Sequence, residues 1–398
     1  MKHIALLSPS SGGHHDTYLR IYISSLLRLG HRVTAFTSHP AEIDAWANAT
    51  SMINQERVQT VAVIYDTPRP ALGPFSTLAG KYHWVKAMSA AVQRSGIQPD
   101  LLFHMWLDNC LTPGLTSQLT DRIVPYRWSG LYFHPWHLRK PLAFQSLRRG
   151  FLASHAALRS SRCPAVAVLD EGIAPALQQH LKGKPVIVFP DIADDTAPDH
   201  AYPPAQEILQ RAQGRTVICL LGALSRRKGL LTMVDMVHRM NVDDFFFVFA
   251  GKLDMNSFST EAQSFIRNFV VSKPENCLFL FERIPDEAQF NALVTACDVL
   301  FAVYDSFLSS SNLLTKAAIF ERPILVSEGY CMGERMARYR IGRSVPENDA
   351  DACIAAVREI AALVHQHGSL PDADYTGYRA IHSISQLEEK LGELLTLG

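Results

Sequence analysis

The sequence lacks an excess of charge of either sign. Its 398 residues include 38 lysines and arginines and 38 aspartates and glutamates, so the formal net charge at pH 7 is zero. A protein that binds nucleic acid through a broad electrostatic surface needs an excess of basic residues. The balance therefore argues against nucleic acid as a partner.

Cysteine is scarce and shows no motif spacing. An odd, dispersed set without C-x-x-C predicts neither a disulfide framework nor a zinc site, and it suits a reducing cytoplasm. We therefore expect a cytoplasmic protein. The seven residues are Cys110, Cys163, Cys219, Cys277, Cys297, Cys331 and Cys353.

Long apolar runs are missing. No uninterrupted run reaches the roughly 18–20 residues that a membrane span needs. The N-terminal stretch MKHIALLSPSSGG has only about six apolar residues, a core too short for a signal peptide, and we interpret it as a buried first strand. We expect a soluble protein, which could still lie on a membrane surface.

Two glycine fingerprints of phosphate binding are absent as well. The chain has neither G-x-G-x-x-G nor G-x-x-x-x-G-K-[ST]. The first absence disfavours a dinucleotide-dependent dehydrogenase.

Short apolar runs alternate with segments of helical periodicity along the whole chain. Strands buried on both faces and separated by helices are typical of parallel α/β sheets. Helical segments include residues 17–30 and 286–298. Strands are predicted at residues 3–9, 32–37, 59–65, 100–106, 130–134, 165–170, 185–190, 216–222, 245–251, 277–282, 299–304 and 323–327.

The chain is too long for one ordinary core. The segment PDIADDTAPDHAYPP is rich in proline and acidic residues and has no periodicity, as in a linker. We predict two doubly wound, Rossmann-like domains facing a central cleft, with ligands at the carboxyl ends of the strands. The predicted boundaries are 1–190 for the N-terminal domain, 191–204 for the linker, 205–375 for the C-terminal domain and 376–398 for a final helix that packs back toward the N-terminal domain.

A basic loop, GALSRRKG, follows the predicted strand 216–222. Gly222 opens it, and Arg226, Arg227 and Lys228 lead into a helix. A helix start presents free N–H groups and a positive dipole end, which together with basic side chains suit a diphosphate. A solvated basic turn is the alternative interpretation.

The stretch YDSFLSSSNLLTKAAIFERPILVS, residues 304–327, has a hydroxyl-rich helix start. Ser309, Ser310, Ser311 and Asn312 can cap the helix or donate to phosphate oxygens, and capping alone needs only one serine. Lys316 is the only charge in the first two turns of this helix. We assign these residues to a donor-binding site together with Thr315 and with Arg283, which follows the strand 277–282.

Two features of the N-terminal half lie at predicted strand ends. Gly12 and Gly13 allow close backbone approach to a ligand, and His14 and Asp16 could serve an acceptor hydroxyl; a glycine turn capped by Asp16 is the alternative. His134 ends the strand 130–134 and is the best catalytic candidate of this half, although a lone strand-end histidine is often structural. We interpret His104 as a core histidine.

Residues 137–162 contain six Lys/Arg and no acidic residue. Basic residues interleaved with leucine and phenylalanine suit a peripheral contact with anionic lipid at the inner face of a membrane. A basic helix face in water or a groove for a polyanion explains the pattern equally well.

Four segments in the right order resemble GT-B glycosyltransferases of the family 4 type. ICLLGALSRRKGLLTMVDMV resembles the family's "hhhhGRLsxxKGhxxhhxAh", and CPAVAVLDEGIAPALQQHLKGKPVIVFPDIADD resembles the segment before it. LFERIPDEAQFNALVTACDVLFAVYDSF and LTKAAIFERPILVS resemble the family's "hxGxhxxxxhxxhhxxADhhhxPSxxEgF" and "hhEAMAxGxPVhxs". The resemblance covers nearly the whole chain.

The resemblance implies a retaining transferase that uses a UDP- or GDP-linked sugar and needs neither a metal nor a bound cofactor. The donor would bind the C-terminal domain. The acceptor, a saccharide, lipid-linked or other hydroxyl compound, would bind the N-terminal domain. Lys228 would neutralise the donor diphosphate, and His134 would face the transferred sugar.

This chain departs from the family at charged positions. The arginine of the family's GR…KG loop is Ala223 here, so Arg226 or Arg227 would have to replace it. The family's E-x7-E motif is degenerate, because its second glutamate falls on Lys316. The first falls on Leu308 by direct counting, or on Asp305 if YDSF matches "sxxEgF". We prefer Asp305 as the catalytic acid because it ends a strand.

The missing charges leave other functions open. One is a non-catalytic GT-B homologue that binds a sugar nucleotide or a partner. Another is a GT-B enzyme of different chemistry, such as an inverting transferase or a nucleotide-sugar epimerase.

Overall fold

The structure is a computed structural model that describes residues 1–10, 14–50, 55–63, 76–139 and 152–397. It divides into two compact units. Unit 1 contains Met1–Ile192 and Ser383–Gly398, and unit 2 contains Ala193–His382.

The strands are short and, with few exceptions, apolar. They are β1 His3–Ser8, β2 Arg32–Thr37, β3 Val58–Ala62, β4 Leu101–His104, β5 Trp128–Tyr132, β6 Val166–Val168, β7 Val186–Val188, β8 Thr216–Leu221, β9 Phe245–Ala250, β10 Cys277–Leu280, β11 Val299–Ala302, β12 Ile324–Ser327 and β13 Gly342–Val345.

Helices connect most of the strands. They are α1 His14–Arg28, α2 Pro40–Ala49, α3 Ser76–Arg94, α4 Ser117–Ile123, α5 Ala174–His180, α6 Pro203–Ala212, α7 Leu230–Arg239, α8 Thr260–Ser272, α9 Glu287–Thr295, α10 Asn312–Ile319, α11 Tyr330–Tyr339, α12 Ala350–His367, α13 Tyr375–Ile381 and α14 Ile384–Leu397.

Each unit is built on one parallel sheet. The strand order is β3-β2-β1-β4-β5-β6-β7 in unit 1 and β10-β9-β8-β11-β12-β13 in unit 2, and the paired strands run parallel. Both orders reverse direction beside the first strand of the unit, the topological switch point where doubly wound sheets bind ligands. The predicted class of two doubly wound α/β domains is confirmed.

The cores lie on both faces of each sheet. Strand β9 is buried along its whole length. Phe246 and Val248 pack into one hydrophobic layer of unit 2, whereas Phe247 and Phe249 pack into the other. Burial on both faces explains why the strands appear in the sequence as continuous apolar runs rather than as alternating patterns.

Two elements differ from the prediction, strand β13 and the C-terminal helix. Strand β13 was missed because its sequence, GRSV, has no apolar run. The predicted helix at 376–398 is two helices, of which α13 belongs to unit 2 and α14 to unit 1. Helix α14 joins the core of unit 1 through Leu387, Leu391 and Leu394.

The segment 191–204, predicted as a linker, contains the passage from Ile192 to Ala193 between the units. Part of it is held within unit 2, because the Asn291 side-chain amide donates to the backbone oxygen of Thr196 at 2.8 Å.

Cysteine pairing differs from expectation. Cys219 on β8 and Cys297 just before β11 form a disulfide, and the other five cysteines are free and buried. The expectation of no disulfide was therefore wrong. The partners are 78 residues apart in sequence and meet only because β8 and β11 are neighbours in the sheet. Disulfides are rare in cytosolic proteins, so the cysteine pattern no longer supports the prediction of a cytoplasmic location.

Among the described residues, no helix combines the length and the apolar character that crossing a membrane would require.

Candidate functional site

The candidate donor site of unit 2 lies at the switch point of its sheet. Strand β8 ends at Leu221 and is followed by Gly222, while the neighbouring strand β11 ends at Ala302. Two loops therefore start side by side at the carboxyl edge: the basic loop, residues 222–229, and the acidic turn, which we define as residues 304–306. Ligands of doubly wound folds bind at this position.

The basic loop packs closely against the chain at the end of β11. Its three basic residues form a turn of 3-10 helix that ends at Gly229, which has φ 74°. A Cβ atom at Gly229 would lie 2.2 Å from the carbonyl oxygen of Val303. Only glycine fits here, both for its backbone angle and for this close approach. Helix α7 begins directly after it, without a side-chain cap on its first N–H groups.

Contacts join the basic loop to the acidic turn. The Lys228 ammonium donates to the Tyr304 hydroxyl at 2.7 Å. The Asp305 backbone N–H donates to the carbonyl oxygen of Arg227 at 2.8 Å. The guanidinium of Arg226 lies 3.7 Å from the Asp305 carboxylate, and its side chain is 67% exposed. The structure thus brings together four residues that the sequence analysis assigned to the site, and it adds Tyr304.

The acidic turn is held from a third loop, the one that follows β13. Ser306 has φ 52°, in the left-handed region, and its backbone N–H donates to the Glu347 carboxylate. The side-chain amide of Asn348 lies 3.4 Å from Asp305 Oδ1. Sequence reasoning missed Glu347 and Asn348 because it missed β13, whose carboxyl end marks this loop as part of the same edge.

The hydroxyl-rich segment starts helix α10 as predicted, at Asn312. Ser311 occupies the N-cap position with extended backbone, but its hydroxyl makes no capping hydrogen bond. Ser309 is buried and Ser310 is half-buried. Thr315 is buried deeper in the helix, 3.2 Å from the Tyr378 hydroxyl.

Lys316 lies in the interior of unit 2. Its side chain is 2% exposed and its ammonium pairs with the Glu287 carboxylate at 2.8 Å. The same ammonium donates to Asn291 Oδ1 at 2.5 Å and to the backbone oxygen of Asp194 at 3.0 Å. These partners belong to α9 and to the segment after Ile192. They account for the charge of Lys316 within unit 2, and we therefore leave Lys316 out of the proposed donor site.

Arg283 is exposed on the segment between β10 and α9. Strand β10 lies at the far side of the sheet order from β11. A role for Arg283 in donor binding stays a prediction.

Unit 1 presents His134 at the carboxyl edge of its own sheet. His134 follows β5, and its side chain is 40% exposed. Its backbone N–H donates to Asp108 Oδ1 at 2.9 Å, and its ring Nδ1 lies 3.4 Å from the same oxygen. Asp108 was not among the predicted site residues, because a lone aspartate after a strand matches no motif.

His104 is a core residue, as the sequence indicates. Its ring is buried, and burial lowers its pKa to about 4. The Cys110 sulfur lies 3.2 Å from its Nδ1. Its neutral ring fills space beneath the carboxyl edge and is not available to a ligand.

The predicted residues at the start of α1 are only partly described. Gly12 and Gly13 lie outside the described residues. His14 begins α1, and Asp16 lies in its first turn, where a carboxylate interacts favourably with the helix dipole. An interaction of these residues with an acceptor stays a prediction.

Much of the basic run 137–162 also lies outside the described residues, which resume at 152. Of its described part, Arg139 pairs with the Asp170 carboxylate at 2.5 Å, and both side chains are largely buried. Arg162 donates to the backbone oxygens of Asp121 and Val124 at 2.7 and 2.9 Å. These two arginines serve contacts within unit 1, and peripheral membrane contact stays a prediction.

Comparisons with known proteins identify the fold of the chain but no sequence family. No protein-family model matches the chain, and no curated protein matches its sequence. Solved structures do match it over the full length. Sucrose-phosphate synthase from Thermosynechococcus elongatus aligns with a TM-score of 0.71 at 17% identity, covering 100% of this chain and 98% of that chain.

Two further structures carry names that bear on donor chemistry. The Anabaena protein HepE in complex with UDP-glucose aligns with a TM-score of 0.64 at 13% identity, with 100% of both chains covered. An α,α-trehalose-phosphate synthase (UDP-forming) from Burkholderia vietnamiensis aligns with a TM-score of 0.67 at 10% identity, covering 100% of this chain and 98% of that chain. At these identities the likeness shows the fold alone, and that fold is GT-B, as predicted.

Proposed function

We propose that the protein is a glycosyltransferase that moves a sugar from a nucleoside diphosphate sugar to an acceptor hydroxyl. The observation that carries the proposal is the contact between the basic loop and the acidic turn at the switch point of unit 2. There, three consecutive basic residues and an uncapped helix start lie beside Asp305. This arrangement suits a ligand that combines a diphosphate with a sugar.

The chemistry needs stabilisation of negative charge. When the bond between the sugar and the diphosphate breaks, charge develops on the leaving phosphate, and fixed positive groups lower the barrier most effectively where water is excluded. Lys228, together with Arg226 or Arg227, and the first N–H groups of α7 would supply that stabilisation. Asp305 would accept a hydrogen bond from a sugar hydroxyl.

Retention of anomeric configuration is the finer part of the proposal. In a retaining mechanism without a covalent enzyme intermediate, the leaving phosphate takes the proton of the acceptor hydroxyl on the same face of the sugar. No strong general base is then needed, which agrees with a donor site that has one candidate carboxylate among its predicted residues, Asp305. The anomeric form of the product tests this directly.

A uridine nucleotide is the first donor to test. The proteins of similar fold include one in complex with UDP-glucose and one whose name describes a UDP-forming reaction. For the acceptor we propose a saccharide or another hydroxyl compound that binds at the carboxyl edge of unit 1 near His134.

A second candidate function is a non-catalytic GT-B protein that binds a sugar nucleotide without turnover. Ala223 and Lys316 favour it, since the family that the sequence resembles has charged partners for the donor at both positions. Slow release of UDP from UDP-glucose over a long incubation would exclude it.

The test of the proposed function is Lys228→Ala. Removal of one charged donor from a phosphate typically costs about 1.5–3 kcal/mol, which is roughly a 10- to 100-fold loss of affinity for UDP. Wild-type protein at 100 times the Kd of UDP should gain about 2.7 kcal/mol of stability, a readable thermal shift. The matched control is Arg267→Ala, an exposed charge on α8. Equal UDP affinity of wild type and Lys228→Ala would overturn the assignment of the basic loop.

A further inference from the structure

Asp108 occupies a turn at the carboxyl edge of unit 1. The turn, Leu107–Cys110, is a short 3-10 helix that follows β4. Strand β4 pairs with β5, the strand that leads to His134. A side chain on this turn can therefore reach across to the end of the neighbouring strand.

The Asp108 carboxylate makes three contacts with the segment Phe133–His134, two of them with His134 itself. Oδ2 accepts the backbone N–H of Phe133, and Oδ1 accepts that of His134, both at 2.9 Å. The third contact is 3.4 Å between Oδ1 and the ring atom Nδ1 of His134. The two backbone bonds fix the path of the chain, and they leave the ring nitrogen Nδ1 beside the carboxylate at a distance longer than an ordinary hydrogen bond.

The chemistry of the two partners determines the state of the ring. An ionised carboxylate only accepts hydrogen bonds, so the nitrogen of a neutral imidazole that faces it must carry the proton. With the proton on Nδ1, the other nitrogen, Nε2, keeps a free lone pair. We propose that Asp108 is a positioning residue that holds His134 in the Nδ1–H tautomer and so presents Nε2 as a hydrogen-bond acceptor for a substrate hydroxyl.

The surroundings of Asp108 are rigid, as a positioning role requires. A Cβ atom at Gly130 would lie 2.3 Å from the carbonyl oxygen of His104, so β5 packs tightly against the end of β4. The Lys81 ammonium donates to the backbone oxygen of Asp108 at 2.8 Å. Trp106 stacks on Phe133 with 3.8 Å between ring centroids. Both loops that carry the pair are thereby fixed from several sides.

This inference rests on the proposed function only for the substrate, and its first test does not require turnover. The ¹⁵N chemical shifts of a histidine ring distinguish its two tautomers, and His134→Gln assigns the signal. We expect the Nδ1–H tautomer in the neutral ring of wild-type His134. Asp108→Asn replaces the carboxylate by a neutral amide, which holds the Nδ1–H form less strongly, and should raise the share of the Nε2–H tautomer. A wild-type ring in the Nε2–H form would overturn the proposal, even if Asp108→Asn failed to fold.

The second test asks whether Asp108 acts through His134. Asp108→Asn should lower kcat for sugar transfer by about 10- to 100-fold, the scale known for partners that orient metal-ligating histidines, and leave the Kd of UDP unchanged. The double variant with His134→Ala should be no slower than His134→Ala alone, because residues that act as a unit are not additive. Multiplicative losses would contradict the proposal.

A matched control separates positioning from folding. Asp121 in unit 1 also accepts a side-chain hydrogen bond, from Ser160, and Asp121→Asn should leave both kcat and the tautomer of His134 unchanged. If wild-type protein shows no transfer at all, the proposed function fails, whereas the ring measurement still decides the role of Asp108.

Discussion

The buried ammonium of Lys316 gives the sharpest test of how the helix α10 is used. The perturbation is Lys316→Met, which keeps the length and apolar stem of the side chain but removes its charge. The Glu287 carboxylate, Asn291 Oδ1 and the backbone oxygen of Asp194 then lose a common donor. If these contacts are structural, stability should fall while donor affinity stays constant.

The magnitude follows from the burial of the partners. Removing one member of a buried ion pair costs about 3–5 kcal/mol, because the other charge is left without compensation. Glu287 is 27% exposed and can regain water, so we expect a loss near the lower limit, about 3 kcal/mol. For a domain of this size, that loss corresponds to a Tm decrease of about 6–12 °C.

The assay is calorimetric unfolding together with UDP binding. Lys390→Met is the matched control, since Lys390 pairs with Glu393 on the surface of α14, and such pairs contribute about 0–1 kcal/mol. Adding Glu287→Gln to Lys316→Met should recover part of the lost stability. If Lys316→Met lost less than about 1 kcal/mol of stability and bound UDP ten times more weakly, the structural role would be refuted. Lys316 would then belong to the donor site.

Three further perturbations test other parts of the structure. Glu347→Ala removes the acceptor of the Ser306 N–H, and it should cost about 1 kcal/mol of stability and slow transfer about tenfold. Glu347→Gln should retain the stability and the transfer rate of the wild type. Equal rates for the two variants would contradict a role of Glu347 in holding the acidic turn. Replacing Cys219 and Cys297 by alanine should lower the free energy of unfolding by about 2–4 kcal/mol, and thiol titration of denatured, unreduced wild type should count five thiols. Burial lowers the pKa of His104 to about 4, so the unfolded state binds more protons below pH 6.5. His104 should therefore contribute a stability loss of about 2 kcal/mol between pH 7.5 and 5, which His104→Gln should lack; an identical pH dependence of the two proteins would contradict this.

Much of the fold could be predicted because the strands are buried on both faces. Such strands appear as continuous apolar runs in the sequence, and a run such as FFFVFAG is typical of a strand that is buried on both faces. Strand β13 lies at the edge of its sheet and carries Arg343 and Ser344, so the same signal is absent there. The order of the strands also has no signature in a single sequence, which is why the pairing of Cys219 with Cys297 could not be foreseen.

The candidate site was predictable where local sequence determines it. The basic loop follows a strand and ends in glycine, and these features alone place Arg226, Arg227 and Lys228 at the carboxyl edge. Residues that complete the site from other loops were not predictable. Asp108 and Glu347 act on segments that are 25 and 41 residues away in sequence, and a lone acidic residue in a loop has no pattern that announces such a contact.

The stretch 304–327 has two separate structural roles. Its first residues, Tyr304 to Ser306, contact the basic loop, whereas Lys316 holds α10 to α9 in the interior of unit 2. An ammonium 2.8 Å from a carboxylate forms a neutral pair, and the field of such a pair falls off faster with distance than that of a single charge. Lys316 adds little positive potential at the carboxyl edge for this reason. The charge of a bound diphosphate would then be met mainly by the basic loop, so Lys228→Ala should weaken UDP binding more than it would if Lys316 also faced the diphosphate.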